Sequence, residues 1–173
     1  MDHKKILLIG YMGSGKSTVG KALANTLKLE YFDLDALIEQ KNNQSVAEIF
    51  QGKGEIFFRK QEHNLLHEWM KKPQSFVMSL GGGTPCYANN HLVFEQNGVL
   101  SVYLKAKVNT LVDRIEADTN IRPLLHNITD KMGYVGQHLL ERSFYYNKAK
   151  FTVRTDDKTI DEIVAEIKNL FDA

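Results

Sequence analysis

Gly10-Tyr11-Met12-Gly13-Ser14-Gly15-Lys16-Ser17-Thr18 fits the pattern G-x-x-x-x-G-K-[ST], and its flanks supply the context that pattern requires. The apolar run Ile6-Leu7-Leu8-Ile9 precedes it, and Val19, Ala22, Leu23 and Leu27 follow at helical spacing. Strand, glycine loop and helix, in that order, make a phosphate-binding P-loop. Glycines let successive N–H groups turn inward on an anion. The helix start adds unpaired N–H groups and a partial positive charge. On this reading Lys16 sets an ammonium near the outer phosphates of a nucleotide, and Ser17 offers its hydroxyl to a magnesium ion.

The bulk properties bound what such a chain does. Its 173 residues suffice for one domain with a substantial core. With 43% hydrophobic and 25% charged residues it has the composition of a soluble globular protein. A net charge of +1 argues against a nucleic-acid coat or a polybasic membrane patch. Cys86 is the sole cysteine, so no intrachain disulfide forms, which suits a reducing cytosol. Met1 to Lys5 run straight into the first strand and leave no room for a signal peptide, and no apolar run approaches membrane-spanning length. The expectation is a cytoplasmic protein, acting as a monomer, with neither nucleic acid nor membrane as partner. Only five of the 22 basic residues are arginine (Arg59, Arg114, Arg122, Arg142, Arg154), so each is a candidate for the planar, forked recognition of an anion that lysine cannot supply.

Beyond the loop, strand and helix patterns alternate. Glu30–Asp33 reads as a second strand ending in an acid, and Ala36–Lys41 as a helix. Ser45 and Glu48 form a capping box, Gly52 and Gly54 interrupt, and Glu55–Met70 resumes an amphipathic helix. Phe76–Leu80 is a buried strand running into Gly81-Gly82-Gly83, and Val99–Leu104 is another. A helix follows through Val108, Leu111, Val112 and Ile115. Residues 117–131 are polar and weakly periodic, Tyr134–Tyr146 is helical, Phe151–Val153 is a last strand, and Thr159 with Glu162 caps a final helix. The expected fold is α/β: a five-stranded parallel sheet flanked by helices, in a single domain over 1–173. It has two excursions, near 34–62 and 117–131.

Several residues gather at the strand ends where ligands of such folds bind. Asp33 could help hold hydrated magnesium, and Asp35 could accept a proton from an attacking hydroxyl; alternatively Asp35 caps the helix that follows. Gly81, Gly82 and Gly83 replace the acid that commonly ends this strand and let backbone N–H groups approach a small polar ligand, where a bare turn needs fewer glycines. Arg59 and Arg142 are candidate clamps on a substrate anion. Arg122, in Ile121-Arg122-Pro123-Leu124-Leu125, is placed to reach the phosphates when its loop closes and excludes water. Any one of these arginines taken alone could instead be a surface ion pair.

The joint set resembles the shikimate kinase family over nearly the whole chain. It comprises G-Y-M-G-S-G-K-S-T at 10–18, F-D-L-D at 32–35, F-R at 58–59, G-G-G at 81–83, R-P-L-L at 122–125 and E-R-x-x-x-Y at 141–146. The resemblance implies a fold like that of nucleoside-monophosphate kinases, with a substrate-binding excursion and a lid. It also implies transfer of the γ-phosphoryl group of ATP, with Mg2+, to the 3-hydroxyl of shikimate. By the family pattern Gly13, Ser14, Gly15, Lys16, Ser17 and Thr18 hold the ATP phosphates, with Ser17 on the metal. Asp35, Arg59, Gly82 and Arg142 bind shikimate, Arg122 is the lid arginine, and Arg114 stacks on adenine. The chain departs from the pattern after its last strand, where Thr155-Asp156-Asp157-Lys158 stands in place of a second basic adenine contact. The rival readings are a gluconate kinase, a nucleoside-monophosphate kinase, whose acceptor carries phosphate and a flat base where this site offers a carboxylate clamp and an acid for hydroxyls, and a GTP switch built on Asp130-Lys131-Met132-Gly133 and Asn147-Lys148-Ala149-Lys150.

Overall fold

The computed structural model describes residues 4–118 and 128–172. The elements in chain order are β1 (Lys5–Ile9), α1 (Lys16–Leu27), β2 (Glu30–Asp33), α2 (Leu34–Asn42), α3 (Val46–Met70), β3 (Phe76–Ser79), β4 (Val99–Lys105), α4 (Val108–Ala117), α5 (Lys131–Tyr146), β5 (Phe151–Arg154) and α6 (Ile160–Asp172). Two 3₁₀ segments, Thr84–Cys86 and Asn90–Glu95, lie between β3 and β4.

The five strands form one parallel sheet in the order β2-β3-β1-β4-β5. Strand β1 is central because its side chains are apolar on both faces, which suits a strand covered by helices on each side. Leu7 and Ile9 join Met78, Tyr103, Phe58, Leu66 and Ile115 in one core. Ile6 and Leu8 join Val19, Leu23, Val102, Val153, Ile163 and Ile167 in the other. Helices α1 and α6 therefore cover one face and α2 to α5 the other. Each of these aliphatic side chains, sealed from water, contributes about 1.5–3 kcal/mol before entropy is subtracted.

Two local details decide where the site forms. Ser45 and Glu48 make the expected capping box, and Gly54, at φ 80° and ψ 170°, breaks α3 into two helices at the predicted interruption. The second half of α3 is thereby aimed separately, bringing Arg59 and Glu62 toward the carboxyl ends of β1 and β3. Thr159 and Glu162 likewise cap α6.

Candidate active site

At the end of β1 the loop turns through Gly13 (φ 78°) and Gly15 (φ 93°), left-handed conformations that side chains resist. Gly15 is the N-cap of α1, and among the described residues no side chain caps it and no acid stands in the helix's first turn. The open N–H groups there, with the helix dipole behind them, form an anion cradle. Lys16 Nζ is folded over the loop and donates to the carbonyl oxygens of Gly10 (2.8 Å) and Tyr11 (2.9 Å). Its ammonium is thus held beside that cradle.

The two acids after β2 divide their tasks in a way the sequence left open. Asp33 is the cap of α2: its Oδ1 accepts from the N–H of Asp35 (3.0 Å) and of Ala36 (3.4 Å). Its Oδ2 accepts from Ser17 Oγ and from Tyr31 Oη, each at 3.3 Å. Asp35 is therefore not the cap, because Asp33 already satisfies those donors. Asp35 Oδ1 is shut off from solvent and has no hydrogen-bond partner among the described residues. Withdrawal from water pushes its pKa up to about 7, Glu62 and Asp33 push the same way, and Lys16 and Arg59 oppose them.

Ser17 and Asp33 offer a hydroxyl and a carboxylate, hard donors that fit magnesium, at the mouth of a cleft of about 450 Å³ also lined by Lys21, Tyr31 and Gln40. Among the described residues no three His, Cys, Asp or Glu side chains converge as a metal-holding group. Two protein oxygens suit an ion that keeps most of its water and takes its other ligands from phosphate.

The three glycines after β3 are the floor of a polar chamber. A Cβ on Gly81 would lie 2.8 Å from Glu62 Oε1 and 3.0 Å from Asp35 Oδ1. One on Gly82 would lie 3.3 Å from Arg142 Nη1, and one on Gly83 2.6 Å from Arg59 Nη2. Asp35, Arg59 and Arg142 come from α2, α3 and α5, yet all close on this one turn. At each glycine a polar side chain crowds the space a Cβ would need, most tightly at Gly81 and Gly83.

The two arginines are held differently. Arg59 donates to Glu55 Oε1 at 3.3 Å and to Glu62 Oε2 at 2.5 Å. Arg142 has no carboxylate partner among the described residues; its guanidinium lies 5.4 Å from the Tyr11 ring centroid. Tyr146, one turn further along α5, donates to the Gly82 carbonyl at 2.7 Å and pins the glycine turn. Glu62, wholly buried, and Tyr146 are site residues that the sequence did not single out. The signals were present: Glu62 stands three residues after Arg59 on a helix, and Tyr146 closes the E-R-x-x-x-Y run.

Arg114 donates to the carbonyl of Gly13 (3.4 Å), to Thr155 Oγ1 (3.1 Å) and to the Thr155 carbonyl (2.8 Å). It ties the phosphate loop to the segment after β5, where Arg154 ends the strand. Arg122, and most of the excursion expected over 117–131, lie outside the described residues. Asp130 caps α5 by accepting from Gly133 N at 2.8 Å, so D-x-x-G here is a helix start. Cys86 is half-buried, on the 3₁₀ turn directly after the glycines. Burial raises its pKa while Arg142 and Arg59 oppose. The rings of His63 and His67 meet at a tilt of 50°, with centroids 4.3 Å apart.

The family model described as shikimate kinase matches residues 12–171. A shikimate kinase of Flavobacterium psychrophilum is 48% identical over 169 residues, 96% of this chain and 98% of that protein. Among solved structures, shikimate kinase from Bacteroides thetaiotaomicron is similar with a TM-score of 0.90 and 33% identity, over 98% of this chain and 99% of that one. Shikimate kinase from Acinetobacter baumannii in complex with shikimate is similar with a TM-score of 0.88 and 32% identity, over 98% of this chain and 93% of that one.

Proposed function

The chain belongs to the shikimate kinase family and phosphorylates shikimate, and from that premise we propose how its own residues carry the reaction. Gly13 to Thr18 cradle the phosphates of ATP, with Lys16 on the outer oxygens, and the γ-phosphoryl group passes to the 3-hydroxyl of the ring. Arg59 and Arg142 grip the ring carboxylate, and the N–H groups of the Gly81–Gly83 turn meet its polar edge. Asp35 holds the 3-hydroxyl and accepts its proton as the oxygen attacks phosphorus. Ser17 and Asp33 would hold Mg2+, which when bound would neutralise phosphate charge. Arg122 acts as the lid arginine, with residues about 34–62 as the substrate-binding excursion and about 117–131 as the lid. Arg114 serves the adenine side by fixing Gly13 to Thr155.

A phosphoryl transfer asks a protein mainly for positioning and neutralised charge. The observation that carries this assignment is the convergence of Asp35, Arg59 and Arg142 on three glycines beside the phosphate loop. A carboxylated, hydroxylated ring uses all three side chains, whereas a nucleoside monophosphate, with its phosphate and flat base, offers no such match. We take one copy of the chain as the working unit, since every residue named comes from it, and the cytosol as its compartment. None of the helices described is long and apolar enough to cross a membrane. The test is ADP release over a panel of acceptors: turnover with shikimate and little with gluconate or AMP is expected, and the reverse order overturns the reading.

A further inference from the structure

Behind the glycine turn, a buried chain of hydrogen bonds runs from α3 to the first 3₁₀ segment and back. Arg59 Nη1 donates to Glu62 Oε2 at 2.5 Å, and Thr84 Oγ1 donates to the other oxygen, Glu62 Oε1, at 2.5 Å. Asn90 Nδ2 donates to the carbonyl of Thr84 at 2.9 Å. His63 Nδ1 lies 2.7 Å from Asn90 Oδ1. Because the Thr84 carbonyl only accepts, the amide nitrogen of Asn90 faces it, so Oδ1 faces His63 and Nδ1 of that ring carries the proton. Glu62, Thr84 and Asn90 are all fully buried.

We propose that Thr84 and Asn90 are positioning residues for shikimate recognition, acting through Glu62 on the Arg59 guanidinium. A carboxylate held by one cation can pivot about that contact. A hydroxyl on its second oxygen fixes its plane, and the plane of Glu62 sets the direction of the Arg59 fork. Asn90 in turn fixes Thr84, since it bridges the Thr84 backbone and His63, the neighbour of Glu62 on α3. Two tethers, Glu62 to Thr84 and His63 to Asn90, thus lock the second half of α3 to the residues that follow the glycine turn. The break at Gly54 leaves that half-helix without continuous support from its N-terminal side, so its aim depends on these contacts. The proposal rests on Arg59 gripping the acceptor's carboxylate.

The test is steady-state kinetics on the full chain, with a thermal melt of each variant. Thr84→Ala is expected to raise the KM for shikimate about tenfold while the KM for ATP holds, and Thr84→Ser, which keeps the hydroxyl, is expected to restore it. Asn90→Ser, too short to bridge His63 and Thr84, is expected to act in the same direction and decides the matter if Thr84→Ala does not fold. In an Arg59→Ala background, Thr84→Ala should add nothing to the KM for shikimate. Parallel rises in both KM values, an equal effect of Thr84→Ser, or independent multiplication with Arg59→Ala would each overturn the relay. If Arg59→Ala alone leaves the KM for shikimate unchanged, the clamp reading fails first; if it raises KM and Thr84→Ala does not, only the relay fails.

Discussion

The Gly83 backbone and the Arg59 guanidinium fill one another's space: a Cβ on Gly83 would stand 2.6 Å from Nη2 and 2.7 Å from Nη1. Gly83 itself sits at φ −90° and ψ −16°, which alanine adopts without strain. Gly83→Ala should therefore fold normally and displace the arginine tip. The expected result is a rise of about tenfold in the KM for shikimate with the KM for ATP unchanged. An unaltered KM for shikimate would mean that Arg59 does not meet the acceptor from this position.

Asp35 is the group whose ionisation should shape the pH profile. Its pKa is pushed up to about 7 by withdrawal from water, with Glu62 and Asp33 adding to the shift. A proton acceptor works in its ionised form, so kcat/KM should climb with pH through about 7 and level off above it. Well below that point each pH unit should cost about tenfold. Glu62→Gln removes a negative charge beside Asp35 and should move this limb to lower pH. A flat profile from acid to neutral pH would contradict the role.

The same shift has a cost in stability. The folded-state pKa of Asp35 lies above its unfolded value of 3.8, so the native state holds the proton more tightly between the two. Its contribution is fully present below the unfolded value and is lost as pH rises through about 7. By linkage the loss is on the order of 4 kcal/mol. Asp35→Asn should therefore melt higher than the parent at pH 8, with the gap closing toward pH 4, while kcat collapses. A lower melting temperature at pH 8 would indicate that the ionised carboxylate is well compensated in the fold.

Arg59 and Arg142 should separate when truncated. Removing Arg59 strands the carboxylate of Glu62, which is 0% exposed, so Arg59→Ala should lose about 3–5 kcal/mol as well as raising the KM for shikimate. Arg142 has no carboxylate partner among the described residues, so Arg142→Ala should change stability by only about 0.5 kcal/mol. Its KM for shikimate should nonetheless rise about 10- to 100-fold. Urea melts beside kinetics check both; equal destabilisation by the two variants would contradict the different anchoring seen here.

Much of this was legible in the chain because the decisive signals are local. Glycine spacing at 10–15 dictates the loop, Ser45 with Glu48 and Thr159 with Glu162 dictate two helix starts, and Gly54 breaks α3 where the pattern falters. The sequence named the residues that meet over the glycine turn, because runs of glycine and scarce arginines leave few other uses. Glu62, Thr84 and Asn90 were not legible in the same way. A glutamate on an amphipathic helix reads as a surface charge, and only its burial in the fold and its contact with Thr84, 22 residues further along the chain, show otherwise. Whether Asp35 caps its helix was likewise undecidable from spacing, since it depends on which side chain turns back on the helix start, and in the fold that is Asp33. Strand order is also non-local: β1 lies between β3 and β4, and no short-range pattern encodes that.

The central claim is that one chamber, floored by Gly81–Gly83, seats the acceptor ring between Asp35 and the two arginines. A crystal structure with shikimate and ADP tests it most directly. The account predicts the ring carboxylate between Arg59 and Arg142, the 3-hydroxyl on Asp35, and the ADP phosphates on the N–H groups of Gly13 to Thr18. A ring bound away from the glycine turn, or one whose carboxylate faces Asp35 in place of the arginines, would contradict it.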